Sequence, residues 1–174
     1  TIGLSMAQHF DKLIGVEIIP QAVENARANA AAMGMNEEKA RFLCADAGEA
    51  AAQLAAEGLK PDVIVLDPPR KGCDTATLDA VLQMAPARVV MVSCNASTAA
   101  RDVRYLTDHG YTLQKVKPVD MFPHTSHTAV AKGAGLHDGI GLQLQIGNDD
   151  SHALTGTELG GQQHLGVADL AHAA

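Results

Sequence analysis

Four short stretches of the chain carry side chains whose types and settings can do chemistry. Cys94 follows the apolar run Val89–Ser93 and precedes a helical pattern, so its thiol faces the positive end of a helix. That field favours thiolate and hence nucleophilic attack, although most buried cysteines are simply inert core residues. Asp67 opens the string Asp67-Pro68-Pro69-Arg70-Lys71-Gly72, in which two prolines impose an extended, rigid loop able to shape a pocket. A plain turn is the alternative reading. Glu17, at the end of Ile14-Gly15-Val16-Glu17-Ile18, is suited to accept both hydroxyls of a ribose, or else to stand as a solvated strand-end carboxylate. Asp46 follows Arg41–Ala45 and can receive an adenine amino group, or equally cap a helix beginning Ala47-Gly48-Glu49.

All four positions fall at the ends of predicted strands. Short Val- and Ile-rich runs at Lys12–Ile18, Ala40–Cys44, Val63–Leu66, Val89–Ser93 and Tyr111–Lys117 alternate with longer helical patterns, the signature of a largely parallel sheet covered by helices. Ligands of such sheets bind at the carboxyl ends of the strands. Pro20 starts the first of four helices and Gly34 ends it; Thr75 and Ser97 are the expected caps of the third and fourth, and Gly110 closes the last. The opening TIGLSMAQHF reads as the first turns of a helix without a preceding strand, and Gly3 as the remnant of a glycine turn, so a central strand is expected to be absent.

The chain has 174 residues, 47% of them apolar, enough for one domain with a substantial core. Its net charge of −7 is unevenly distributed: residues 1–132 hold all 13 Lys and Arg against 15 acids, and residues 133–174 hold five acids and no Lys or Arg. A nearly neutral body is compatible with a local RNA-binding patch. The later segment also holds nine of the 16 glycines and loses the alternating pattern, so 133–174 is expected to be an irregular Gly/His-rich tail after a domain at 1–132. The three cysteines, Cys44, Cys73 and Cys94, are widely spaced, which argues against disulfides and structural zinc. No apolar run has membrane-spanning length and no leader is visible, so a cytoplasmic protein is expected.

Three strings occur in order: DPPRKG at 67–72, VSCNASTAARD at 92–102 and VDMFPHTSH at 119–127. Together they resemble consecutive motifs of the S-adenosylmethionine-dependent RNA methyltransferases that act on uracil C5, especially the 23S ribosomal RNA branch. The resemblance runs from Thr1 to about Val130. It implies a Rossmann-like, doubly wound α/β fold of the class I methyltransferase type, S-adenosylmethionine as cofactor, and an RNA substrate, with 23S rRNA first and tRNA as the alternative. It also implies that Cys94 is the nucleophile toward uracil C6, that Glu17 and Asp46 hold the ribose and adenine, that Asp67 lies near cofactor and base, and that Thr1 borders the cofactor loop. Members of the family use a glutamate two residues after the last histidine of the third string to remove the C5 proton. Ala129 stands there in this chain.

Other readings compete. His124 and His127 have an H-x-x-H spacing, but no third metal ligand accompanies them. Adenine N6 methylation also uses an acid followed by Pro-Pro, yet it favours an aromatic next, where this chain has Arg70, and it leaves Cys94 without a task. A nicotinamide dehydrogenase would need a G-x-G-x-x-G motif, which is absent. Ala129 and the expected loss of the cofactor loop favour a noncatalytic remnant with weak nucleotide or RNA binding as the runner-up.

Overall fold

A computed structural model describes residues 2–120, 140–148 and 167–171. After a short helix α1 (Ile2–Ser5) and a 3-10 turn at Ala7–His9, strands and helices alternate. They are β1 (Leu13–Glu17), α2 (Pro20–Ala32), β2 (Ala40–Cys44), α3 (Ala47–Ala56), β3 (Val63–Asp67), α4 (Thr75–Met84), β4 (Arg88–Ser93), α5 (Ala96–Asp108) and β5 (Tyr111–Asp120), followed by β6 (Ile140–Asn148) and β7 (Val167–Ala171). They form one seven-stranded sheet in the order β2-β1-β7-β3-β4-β6-β5. Among the described strands, β6 runs antiparallel to both β4 and β5, and the other pairs are parallel.

The two faces of β1 show why the sheet is covered on both sides. Side chains alternate along a strand, and Leu13 and Val16 enter different clusters. Leu13 packs with Leu4, Phe10, Ala30 and Met35 beside α1 and α2. Val16 joins the larger cluster, in which Leu54, Val81 and Leu106 of α3, α4 and α5 are wholly buried. Strands covered this way read as continuous apolar runs, as Val63–Leu66 does.

The helix ends correct two sequence expectations. Pro20 does open α2, and Gly34 and Gly110 follow their helices with φ of 73° and 98°. The cap of α4, however, is Asp74, whose Oδ1 accepts from the Thr77 amide at 2.7 Å, and Thr75 is the first helical residue. Likewise Asn95 caps α5 by accepting from the Ser97 amide at 3.0 Å. In each case the earlier polar residue has the extended backbone that aims its side chain at the first turn.

A larger correction concerns residues 133–174. The sequence reads as irregular throughout, and the sheet as lacking a central strand. Two stretches of that segment are strands: β6 fills the position between β4 and β5, and β7 lies in the centre between β1 and β3, parallel to both. The physical reason is the backbone. β1 and β3 would each present a row of unpaired N–H and C=O groups to the interior, and β7 satisfies both rows at once, Leu13 pairing with Val167 on one side and Val63 with Val167 on the other. The remainder of 133–174 lies outside the described residues.

Truncation after Asn148 removes β7 and is therefore expected to abolish the cooperative thermal transition and produce soluble aggregates, read by circular dichroism and size-exclusion chromatography. Leu54→Ala, at a side chain with no exposure, is expected to cost about 2–5 kcal/mol in urea titration and leave the sheet formed.

Candidate active site at the carboxyl edge of the sheet

Because β1, β2, β3 and β4 are parallel, their carboxyl ends share one edge. Glu17 is in register with Cys44, and Leu66 with Met91. The edge thereby collects four of the five residues that the sequence singles out: Glu17 ends β1, Asp46 follows β2, Asp67 ends β3 and Cys94 follows β4. Thr1, like His124, His127 and Ala129, lies outside the described residues.

Their surroundings differ. Glu17 is half-buried, and its Oε1 accepts from the Ile19 amide at 3.0 Å, which fixes the carboxylate at the start of α2. It borders a cavity of about 320 Å³ between β1 and α2, together with Gly15, Asn25, Asn29 and Phe42. Asp46 takes up the helix-capping role: Oδ1 accepts from the amides of Gly48 at 2.9 Å and Glu49 at 3.4 Å. The capped turn nevertheless faces a second cavity of about 70 Å³, which Asp46 shares with Pro68, Pro69, Lys71 and Cys73. Asp67 is half-buried where β3 gives way to the two prolines. Cys94 is exposed, between the buried Ser93 and the capping Asn95. The Ser93 hydroxyl donates to the Asn95 carbonyl at 3.0 Å and accepts from the Asn95 amide at 3.2 Å, so the turn that presents the thiol is closed on itself.

The loop after Asp67 is held from α5. Asn95 Nδ2 and Thr98 Oγ1 both donate to the Arg70 carbonyl at 3.1 Å. One terminal nitrogen of Arg101 donates to the carbonyls of Lys71 at 3.1 Å and Cys73 at 3.0 Å. The Cys73 amide donates to Asp102 Oδ2 at 2.7 Å, and Arg101 closes the set by donating to Asp102 Oδ1 at 2.6 and 2.8 Å. Asp102 has no exposed surface. Gly72 passes through this knot at φ 81°, and a Cβ there would lie 2.5 Å from Arg101 and 2.6 Å from Asp102.

Sequence reading gave no task to Thr98, Arg101 or Asp102. A signal was present: Asp102 occupies the apolar stripe Ala99, Asp102, Val103, Leu106 at helical spacing, where an acid must have a partner.

Burial, and then the charges of Asp102 and Asp74, push the Cys73 thiol up from 9.0 to about 12. The folded state thus prefers the protonated thiol, and this contribution to stability is whole below pH 9.0 and is lost as pH rises toward about 12. At about pH 8, iodoacetamide is expected to label the exposed Cys44 and Cys94 and spare Cys73, as read by mass spectrometry. Gly72→Ala is expected to lower stability by about 2–4 kcal/mol in denaturant titration, from left-handed strain plus the clash with Arg101 and Asp102.

The same architecture and strings recur in known proteins. The family model for tRNA (uracil-5-)-methyltransferase matches residues 1–133. Uncharacterised RNA methyltransferases from Oceanobacillus iheyensis and Lactiplantibacillus plantarum are 48% and 49% identical over 127 and 128 residues, which is 73% of this chain and 27% and 28% of theirs. The chain therefore spans little more than a quarter of the length of these curated relatives. The tRNA (uracil-54, C5)-methyltransferase of Pyrococcus abyssi, solved with S-adenosyl-L-homocysteine, superimposes with a TM-score of 0.62 at 27% identity, covering 83% of this chain and 30% of that one. A precorrin-6y C5,15-methyltransferase from Geobacter metallireducens shares the fold alone, with a TM-score of 0.54 at 16% identity over 84% of this chain and 86% of that one. The fold is the Rossmann-like sheet of the class I methyltransferases, as expected. On the match of residues 1–133, the chain belongs to the tRNA (uracil-5-)-methyltransferase family.

Proposed function

We propose that this chain is catalytic machinery for transferring a methyl group from S-adenosylmethionine to C5 of a uracil in RNA, with Cys94 as the nucleophile. The observation that carries the reading is the exposed Cys94 thiol on the carboxyl edge, tied through Asn95 to the loop that follows Asp67. Uracil C5 is a weak nucleophile, and a transient bond from a thiolate to C6 turns one hard step into easier ones.

The thiol first loses its proton to solvent, and the sulfur then bonds to C6 while the ring's C5–C6 π pair moves to C5 and the adjacent carbonyl. S-adenosylmethionine, when bound, supplies an electrophilic methyl group and departs as S-adenosylhomocysteine. Removal of the C5 proton by a base then lets the C6–S bond break and restores the thiolate. With Ala129 at the position where relatives of this family carry glutamate, the chain lacks that base at that place, and the adduct is expected to persist.

The residues present suit a nucleoside cofactor. Glu17 and Asp46 stand at the ends of the adjacent parallel strands β1 and β2, and each borders a cavity. Among the described residues, Glu17 Oε2 makes no hydrogen bond and is available to ribose hydroxyls. Asp46 keeps α3 capped and offers its loop to the adenine. Thr1 is proposed to border the cofactor loop.

The RNA is proposed to be 23S ribosomal RNA, from the likeness of the three strings. Transfer RNA is a second reading, favoured by the family description and by the tRNA methyltransferase of Pyrococcus abyssi. A remnant without catalysis is what a negative result would leave.

Incubation with S-adenosylmethionine and unmodified 23S rRNA fragments, or tRNA in parallel, is expected to give a covalent protein–RNA band on a denaturing gel that Cys94→Ala abolishes. Ala129→Glu is expected to convert the standing band into turnover, seen as methylated RNA with loss of adduct. Glu17→Gln is expected to weaken cofactor binding by about 10–100-fold in calorimetry, the scale of a charged hydrogen bond. No band with either RNA, together with no cofactor binding, overturns the assignment.

A further inference from the structure

Resting on the reading of Cys94 as the nucleophile, we propose that Asp102 and Arg101 are positioning residues: together they set the loop at 67–73 against the thiol. The two parts of the site hang from neighbouring strands, with Leu66 and Met91 in register, and then diverge, one into the loop after Asp67 and the other through Cys94 into α5. Among the described residues, strand pairing ends at Asp67 and the loop beyond it has left the ladder. Its carbonyls at Arg70, Lys71 and Cys73 and its amide at Cys73 go instead to four side chains from the first two turns of α5.

That choice of partner is informative. Cys94 and Asn95 are the whole connection between β4 and α5, so the helix that grips the loop is rigidly joined to the nucleophile. The grip is charged and buried at its centre. Asp102 is wholly enclosed, paired with Arg101 through two donors and with the Cys73 amide. Such an ionic set is not the most stabilising filling for an interior, and its advantage lies in specifying one geometry. Gly72 shows how tight that geometry is, since even a methyl group there would meet both ionic partners. A planar guanidinium bonded to two carbonyls and one carboxylate tolerates little displacement of the loop.

A separation of loop and thiol by an ångström is enough to slow chemistry strongly without touching either reactant. The test uses the whole chain with Asp102→Asn, which keeps the shape, and Arg101→Gln, which lies at a side chain with 57% exposure and spares the core if the first variant fails to fold. Three thiols give the readout. Iodoacetamide labelling is followed at Cys73 and Cys94, with the exposed Cys44 on β2 as the reference for reagent reactivity and circular dichroism as the measure of global unfolding. Both variants are expected to melt earlier and, at temperatures where circular dichroism shows them still folded, to expose Cys73 to labelling and to change the rate at Cys94, with Cys44 unmoved. At saturating S-adenosylmethionine the rate of the Cys94–RNA adduct is expected to fall by about 10–100-fold.

A clamp that merely stabilised the fold would instead leave the Cys94 rate of the folded chain unchanged and adduct formation proportional to the folded fraction. Adduct formation at the unaltered rate in a variant whose Cys73 has become reactive overturns the proposal. So does a Cys73 that stays protected in both variants. If the unaltered chain forms no adduct with either RNA and binds no cofactor, the methyltransferase reading fails, and the clamp is judged on labelling alone: an unchanged Cys94 rate in both variants then refutes it.

Discussion

A parallel sheet covered on both faces cannot leave backbone groups unpaired in its middle, and this constraint governs the rest of the molecule. The peptide groups of β1 and β3 face each other across the width of one strand, and β7 meets both with a single run of five residues. Only with that position filled are β2 and β1 in one plane with β3 and β4. Only then do Glu17 and Asp46 share an edge with Asp67 and Cys94. The candidate site is thus divided between two halves of a sheet joined through its centre.

Within the half that carries Asp67 and Cys94, the loop is placed by a second device. Strand pairing stops at Asp67, and the following residues take their geometry from α5, through Asn95, Thr98, Arg101 and Asp102. Two prolines stiffen the first part of the loop, and an ion pair with a glycine pressed against it locates the remainder. The exposed thiol of Cys94 and the protected thiol of Cys73 sit on either side of that arrangement. One is exposed, and the other belongs to the loop that α5 holds.

Much of this was legible in the order of residues. The strand at 63–67 is dense in apolar side chains and bounded by Pro61-Asp62 and Pro68-Pro69, so local pattern located it closely. The strand-end acids and Cys94 followed from that placement. The caps were legible only to within a residue or two, because Asp74 and Thr75, or Asn95 and Ser97, are all capable, and backbone conformation chooses between them. Asp46 shows a further ambiguity: the same carboxylate is a helix cap and a neighbour of the Pro68-Pro69 cavity, and these two roles share one sequence signature.

What the sequence determined by itself is what depends on near neighbours: the alternation of strands and helices, the rigid Pro-Pro loop, the cysteine before a helix, and the strings that mark the family. Tertiary structure alone decided that Val167–Ala171 enters the centre of the sheet and that Asp102 holds the Cys73 amide. A five-residue strand, Val-Ala-Asp-Leu-Ala, in a glycine-rich segment has no preferred partner until two distant strands offer their edges. A single acid on the apolar stripe of a helix signals a need without naming what meets it. Both are satisfied by groups far away along the chain, and only folding brings those groups within hydrogen-bonding distance.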